Sequence, residues 1–147
     1  MKLLVAVDGS EASHSALAHA GDIAAAMNGS LTVVHAVNPN VYDLGGSEPV
    51  VGFVDADSRL VAESMDDAEK RAQLVLEDAE ARAHQLGHSV ETEMLYGDPV
   101  KAISEFADDF DALFVGHRGL SRRTEQMVGS VAKSMVERAP IPVTVVR

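Results

Sequence analysis

The chain has 147 residues, a length that suits one domain, spanning 1–147, with a sizeable core. Apolar residues make up 46%, yet no run reaches the roughly eighteen that a membrane helix needs, so a soluble globular protein is expected. A net charge of −11 argues against nucleic acid or an anionic membrane as partner, and the absence of cysteine excludes disulfides and thiolate metal sites, as suits a cytoplasmic location. Lysine is scarce among the basic residues, which fits either an ordinary acidic protein or a halophile's hydrated acidic surface.

Residues 2–7 are almost continuously apolar, as a strand buried on both faces would be, and Asp8 interrupts the run too early for a signal peptide. Ser10 can cap a following helix in which Ala12, Ala16, Ala20, Ile23 and Met27 recur at helical spacing, with Asn28-Gly29 as its stop. Residues 31–37 read as a second strand. Residues 38–57 have no period and contain Asn-Pro, Gly45-Gly46 and Glu48-Pro49, so a long loop is expected, serving as a lid, a partner surface or a mobile connection. A long helix is expected over 58–86, with Val61, Met65, Ala68, Ala72, Val75, Ala79 and Leu86 inward and Gly87 as the stop. Residues 88–96 alternate through Val90, Thr92, Met94 and Tyr96, as a strand with one partly solvated side does. Asp98 and Pro99 are a cap and first-turn pair for a helix carrying Val100, Ile103, Ala107 and Phe110 on one face. Ala112-Leu113-Phe114-Val115 is a further buried strand. Val128, Val131, Met135 and Ala139 then recur at helical spacing, and residues 141–146 close the chain as a fifth strand.

Strand and helix alternate throughout, which implies an α/β fold: one open five-stranded parallel sheet with helices on both faces. In such sheets ligands sit beyond the carboxyl ends of the strands, where the strand order reverses.

Between the fourth strand and the last helix stand Gly116-His117-Arg118-Gly119, nine residues, then Gly129-Ser130, a G-x2-G-x9-G-[ST] pattern. A glycine turn that leaves a strand and ends at a helix N-terminus exposes backbone N–H groups to an anion, and glycine allows positive φ and close approach of backbone to ligand. Ser130 either caps the helix or offers its hydroxyl to the same anion. Arg118, Arg122 and Arg123 supply positive charge in or beside this loop, with a solvated loop as the equal alternative. Asp8 is ill-suited to bare phosphate unless the two share a Mg²⁺ ion. No P-loop, no dinucleotide G-x-G-x-x-G and no G-x-S-x-G nucleophile turn occurs, and no general base is placed to activate water. Catalysis is therefore expected to be absent or limited to weak hydrolysis of a bound phosphate ligand. The six histidines lack metal-ligand spacing and read as surface or cap residues, so no metal-ligating set is expected from the protein itself.

Taken with Leu4-Val5-Ala6-Val7-Asp8-Gly9-Ser10, Val33-Val34-His35-Ala36-Val37 and Ala139-Pro140-Ile141-Pro142-Val143-Thr144-Val145-Val146, the glycine pattern resembles the universal stress protein family in its ATP-binding branch. The resemblance covers essentially the whole chain. It implies strand order 3-2-1-4-5 and ATP, with or without Mg²⁺, as ligand. It places Val7 and Asp8 beside the adenosine, and Ala36 and Val37 against the adenine. Gly116, His117, Arg118, Gly119, Gly129 and Ser130 are expected around ribose and phosphates, with an amide from Val131. His117 stands where relatives often carry a small polar residue. The resemblance further implies a stress-response module that works through protein partners, and a homodimer paired through the last strand, residues 142–146. The competing expectations are a dimeric stress protein without nucleotide and an ATP-using transferase or slow ATPase of related fold.

Overall fold

The computed structural model describes residues 1–39, 41–43, 49–50, 60–62, 64–119 and 128–147. In chain order the strands are β1 (Lys2–Ala6), β2 (Ser30–Val37), β3 (Val41–Asp43), β4 (Pro49–Val50), β5 (Leu60–Ala62), β6 (Glu91–Tyr96), β7 (Ala112–Gly116) and β8 (Val143–Val146). The helices are α1 (Glu11–Ala26), α2 (Met65–Gln85), α3 (Pro99–Phe106) and α4 (Ser130–Arg138), with a short 3-10 turn, Ala107–Asp109, after α3. The main sheet runs β6-β2-β1-β7-β8 with every neighbour parallel. Counted among its own five strands, this is the order 3-2-1-4-5 that the family resemblance implies.

Successive residues of a strand face opposite sides, so one apolar run feeds two cores. Leu3, Val5 and Val7 join Val33, Phe114, Leu17 and Leu76 beneath α1 and α2. Leu4 joins Val34, Leu113, Val115, Ile103 and Met135 beneath α3 and α4. Alanines dominate the inward stripes of α1 (Ala16, Ala20, Ala24) and α2 (Ala68, Ala72, Ala79, Ala83). Such small side chains let both helices approach the sheet closely.

The helix ends follow local chemistry. Ser10 Oγ accepts the Ser13 N–H at 3.2 Å to open α1. The chain leaves α1 through Asn28 at φ 52°, with Gly29 N donating to Ala24 O at 2.8 Å. Asp98 accepts the Lys101 N–H at 3.0 Å and Pro99 opens α3. Gly87, at φ 84°, turns the chain out of α2.

Two expectations over residues 38–86 fail. Residues 38–57 are not all loop, because β3 pairs antiparallel with both β4 and β5 in a second, three-stranded sheet. Residues 40, 44–48 and 51–57 of that span lie outside the described residues. The long helix begins at Met65, not 58, because Ser64 accepts the Asp67 N–H at 3.1 Å while Val61 pairs with Tyr42 as a strand residue. A few inward positions also shift. Met27, Met65 and Leu86 stand at helix termini and are about half exposed, while Leu17, Leu76 and Ala83 are buried in their place. On α4 the inward residues are Ala132 and Met135, and Val131 is 45% exposed.

Leu4 is fully buried in the central strand, against residues of β2, β7 and α4. Leu4→Ala is expected to lower unfolding free energy by about 2–5 kcal/mol with unchanged denaturant slope, as read by urea titration.

Candidate functional site

The order of the main sheet reverses between β1 and β7: the chain first builds β2 and β6 on one side of β1, then returns to build β7 and β8 on the other. The loops leaving these two strands therefore diverge around a crevice at their carboxyl ends.

The wall after β1 is a tight turn. Ser10 N–H donates to Asp8 Oδ1 at 2.9 Å, Asp8 N–H donates to Ser13 Oγ at 3.4 Å, and Gly9 supplies φ 87°. Ser10 Oγ, besides capping α1, donates to the Arg118 carbonyl at 3.4 Å and so ties the two walls together.

The wall after β7 is pinned at two points. His117 N–H donates to Val146 O at 2.7 Å, and His117 O accepts the Gly129 N–H at 2.6 Å. The second bond brings the N-terminus of α4 back onto the start of its own loop. The three motif glycines serve this closure in a way the sequence did not reveal. None has positive φ, so all are used for close approach alone. A Cβ on Gly116 would stand 2.7 Å from the Ala12 carbonyl carbon and 2.8 Å from Ser13 N. One on Gly119 would stand 2.6 Å from Asp8 Oδ2, and one on Gly129 3.2 Å from Arg118 Cα.

Ser130 does not cap α4. Gly129 occupies the cap position without a side-chain bond, and Ser130 is the first helical residue, solvent-exposed. Lys133 N bonds to Gly129 O as the helix opens, so the amides of Ser130, Val131 and Ala132 have no acceptor within the helix. Donors thus gather on one side of the crevice and the Asp8 carboxylate on the other. Arg118 belongs to the wall itself; Arg122 and Arg123 lie outside the described residues.

At the far end of the crevice β2 outruns β1. The β1–β2 register ends at Ala6↔Val34, with Val7 N donating to Val34 O at 3.0 Å, whereas the β2–β6 register continues to Val37↔Tyr96. Ala36 and Val37 are buried, and Val37 O accepts the Gly97 N–H at 3.0 Å. The next acceptor along β1, Val7 O, lies 2.6 Å from His35 Nδ1.

His35 corrects the expectation that the histidines are surface or cap residues: only 8% of it is exposed. A carbonyl can only accept, so Nδ1 carries the proton and Nε2 is a bare acceptor, buried and without a partner among the described residues. Burial pushes this ring below the ordinary histidine value, Arg71 adds to the push, and the Val7 bond and Asp8 oppose it. The signal in the sequence was a lone histidine inside an apolar strand run. Elsewhere His14 lies 3.3 Å from Asp78 and His88 lies 3.3 Å from Asp22, each joining α1 to a later segment. Among the described residues no group of three or more His, Asp or Glu side chains could hold a metal ion, and no helix is long and apolar enough to cross a membrane.

Comparison with known proteins places this geometry in context. The family model described as the universal stress protein family matches residues 1–147. A universal stress protein of Bacillus subtilis is 30% identical over 148 residues, covering 99% of this chain and 98% of its own. Among solved structures, a universal stress protein in complex with cAMP is 28% identical with a TM-score of 0.69, covering 100% of this chain and 96% of that one. One from Lactobacillus plantarum, 23% identical, shares the fold with a TM-score of 0.76, covering 100% of this chain and 97% of that one.

Two glycines separate closure from stability. Gly116→Ala drives a methyl into α1 backbone that cannot yield, and is expected to cost about 1–3 kcal/mol in urea unfolding. Among the described residues Gly119→Ala meets only the Asp8 carboxylate, which can rotate away, so its cost should stay within about 0.5 kcal/mol. Equal costs would contradict the described packing.

Proposed function

Because this chain belongs to the universal stress protein family over its whole length, we propose that it is a stress-response module that binds ATP in the crevice between β1 and β7 and acts through protein partners. The observation that carries this reading is the three-way closure around the loop: the Gly129 N–H on His117 O, Gly119 against Asp8, and Gly116 against α1. These contacts hold backbone donors and a helix N-terminus toward one space, the arrangement that suits phosphate oxygens. The cAMP complex of a 28% identical relative supports an adenine nucleotide as the class of ligand.

In this reading the amides of Ser130 and Val131 and the loop 116–119 take the phosphates. Asp8 takes the ribose, or shares a Mg²⁺ ion with phosphate oxygens, an environment that magnesium accepts with a single carboxylate. The backbone of Ala36 and Val37 meets the adenine, next to Val7. The Arg118 guanidinium offsets the repulsion that a chain of net charge −11 exerts on a polyanion. The described residues of the site gather backbone donors, an arrangement suited to holding a nucleotide.

The homodimer belongs to the same proposal. β8 pairs with β7 on one side only and ends the sheet, with Val143, Val145 and Val146 half-buried. An open apolar edge of this kind is stable when covered by a second copy. Sedimentation velocity at micromolar concentration is expected to give a dimer, and a monomer there would exclude this pairing.

Calorimetric titration with ATP, AMP and cAMP tests the ligand. Gly129→Val places branched carbons against the backbone of residues 117–119 and is expected to weaken ATP binding at least about tenfold, or about 1.4 kcal/mol, while the circular dichroism spectrum is retained. Unchanged affinity would remove the glycine loop from the site.

A further inference from the structure

We propose that His35 is a positioning residue that ends the β1–β2 ladder one rung early and, by doing so, presents the Ala36 backbone to the crevice. The proposal rests on the nucleotide reading above for its binding consequence, but not for its structural one.

The register carries the argument. In a parallel pair the bonding residues of a strand alternate between its two neighbours. On β2, Val34 bonds toward β1, with Val7 N donating to its carbonyl, and Val37 O bonds toward β6 through Gly97. The next rung toward β1 would join Ala36 N–H to Val7 O. The described pairing stops at Ala6↔Val34, and Val7 O is met at 2.6 Å by the His35 Nδ1–H. The ring takes the acceptor that would otherwise zip the strands together. Ala36 is left with its backbone edge toward the space between β2 and the Asp8 turn.

The same bond fixes that turn, since Val7 immediately precedes Asp8. One side chain therefore sets the geometry of both the Ala36 edge and the carboxylate opposite Gly119.

Protonation opposes this arrangement. The second nitrogen, Nε2, is buried without a partner among the described residues, so a proton there would create a charged donor that none of them receives. Arg71, reaching over from α2 with Nη2 3.4 Å from Asn38 O, adds like charge; from β6, Met94 stands in register with the ring. The Val7 carbonyl and, less strongly, Asp8 favour the cation, but burial outweighs both. The folded chain thus binds fewer protons at this ring than the unfolded chain, whose histidine titrates near about 6.5. The stability from this source is complete above that value and is lost as pH falls through it toward the lower folded value.

Three variants read the proposal out. His35→Asn keeps an amide donor near the Nδ1 position and removes the titration; His35→Leu removes both; wild type is the reference. In the nucleotide-free protein, ¹⁵N spectra should show His35 protonated on Nδ1 alone, and the Ala36 amide should exchange at least about tenfold faster in wild type and His35→Asn than in His35→Leu, where Val7 O is free to take it. The Tm loss between about pH 7.5 and about pH 5.5 should shrink in His35→Asn relative to wild type. ATP affinity should hold within about threefold in His35→Asn at the higher pH and fall at least about tenfold in His35→Leu, and part of the wild-type loss at the lower pH should vanish in His35→Asn. Protonation on Nε2, equal Ala36 exchange in all three, or an unaltered pH dependence in His35→Asn would each overturn the proposal. If wild type binds no ATP at either pH, the nucleotide reading fails while exchange, spectra and Tm still decide the role of His35. Should His35→Leu not fold, the spectra and the His35→Asn pH dependence decide it alone.

Discussion

The double pairing of β1 is the constraint on which the rest of the structure depends. All five of its residues stand in register with β2 and three, Leu3, Leu4 and Val5, with β7, while both faces lie beneath helices. Backbone groups so placed have no water to fall back on, so both ladders must form together. The requirement for parallel partners sends every connection across a helix, and the return to the opposite side of β1 opens the crevice. The candidate site is thus a by-product of how the core is satisfied.

Closure of that crevice uses space more than conformational freedom. Gly116, Gly119 and Gly129 have ordinary φ, and each stands where another segment occupies the volume of a side chain. The partners differ in stiffness. Helix backbone meets Gly116, a rotatable carboxylate meets Gly119, and the loop's own backbone meets Gly129. One motif therefore joins three jobs: docking the loop on α1, holding Asp8 near the loop, and seating α4 against the start of its own connection. Left-handed geometry is met elsewhere, at Gly9, where the turn after β1 must reverse quickly.

The polar groups divide in the same way between surface and interior. His14 and His88 lie at the edges of α1, facing carboxylates that remain largely in water, and such pairs contribute little to stability. His35 lies inside the sheet, where one nitrogen is satisfied and the other has no partner among the described residues. An unsatisfied buried acceptor in a strand that could have been wholly apolar is a local cost, and such costs gather where a fold is shaped for a task.

Much of this was legible in the residues themselves. Apolar runs of strand length, helical spacing on either side of them, and the caps Ser10 and Asp98 gave the element order, because each depends on neighbours in the chain. The glycine spacing and the closing strand resembled one family, and with it came the strand order and the list of site residues. What remained hidden depended on groups far apart in sequence. The start of α2 at Met65, the strand pairing of Val61 with Tyr42 and the cap position of Gly129 are decided by competing hydrogen bonds that no single window contains. The close approach of Asp8 to Gly119 and the capture of Val7 O by His35, across 28 positions of chain, exist only once the sheet has formed. Sequence by itself determined the five strands of the main sheet and the four helices that connect them, since periodicity and capping are local. Tertiary structure alone decided which atoms are left without room or without a partner, because steric exclusion and hydrogen-bond satisfaction are settled between segments.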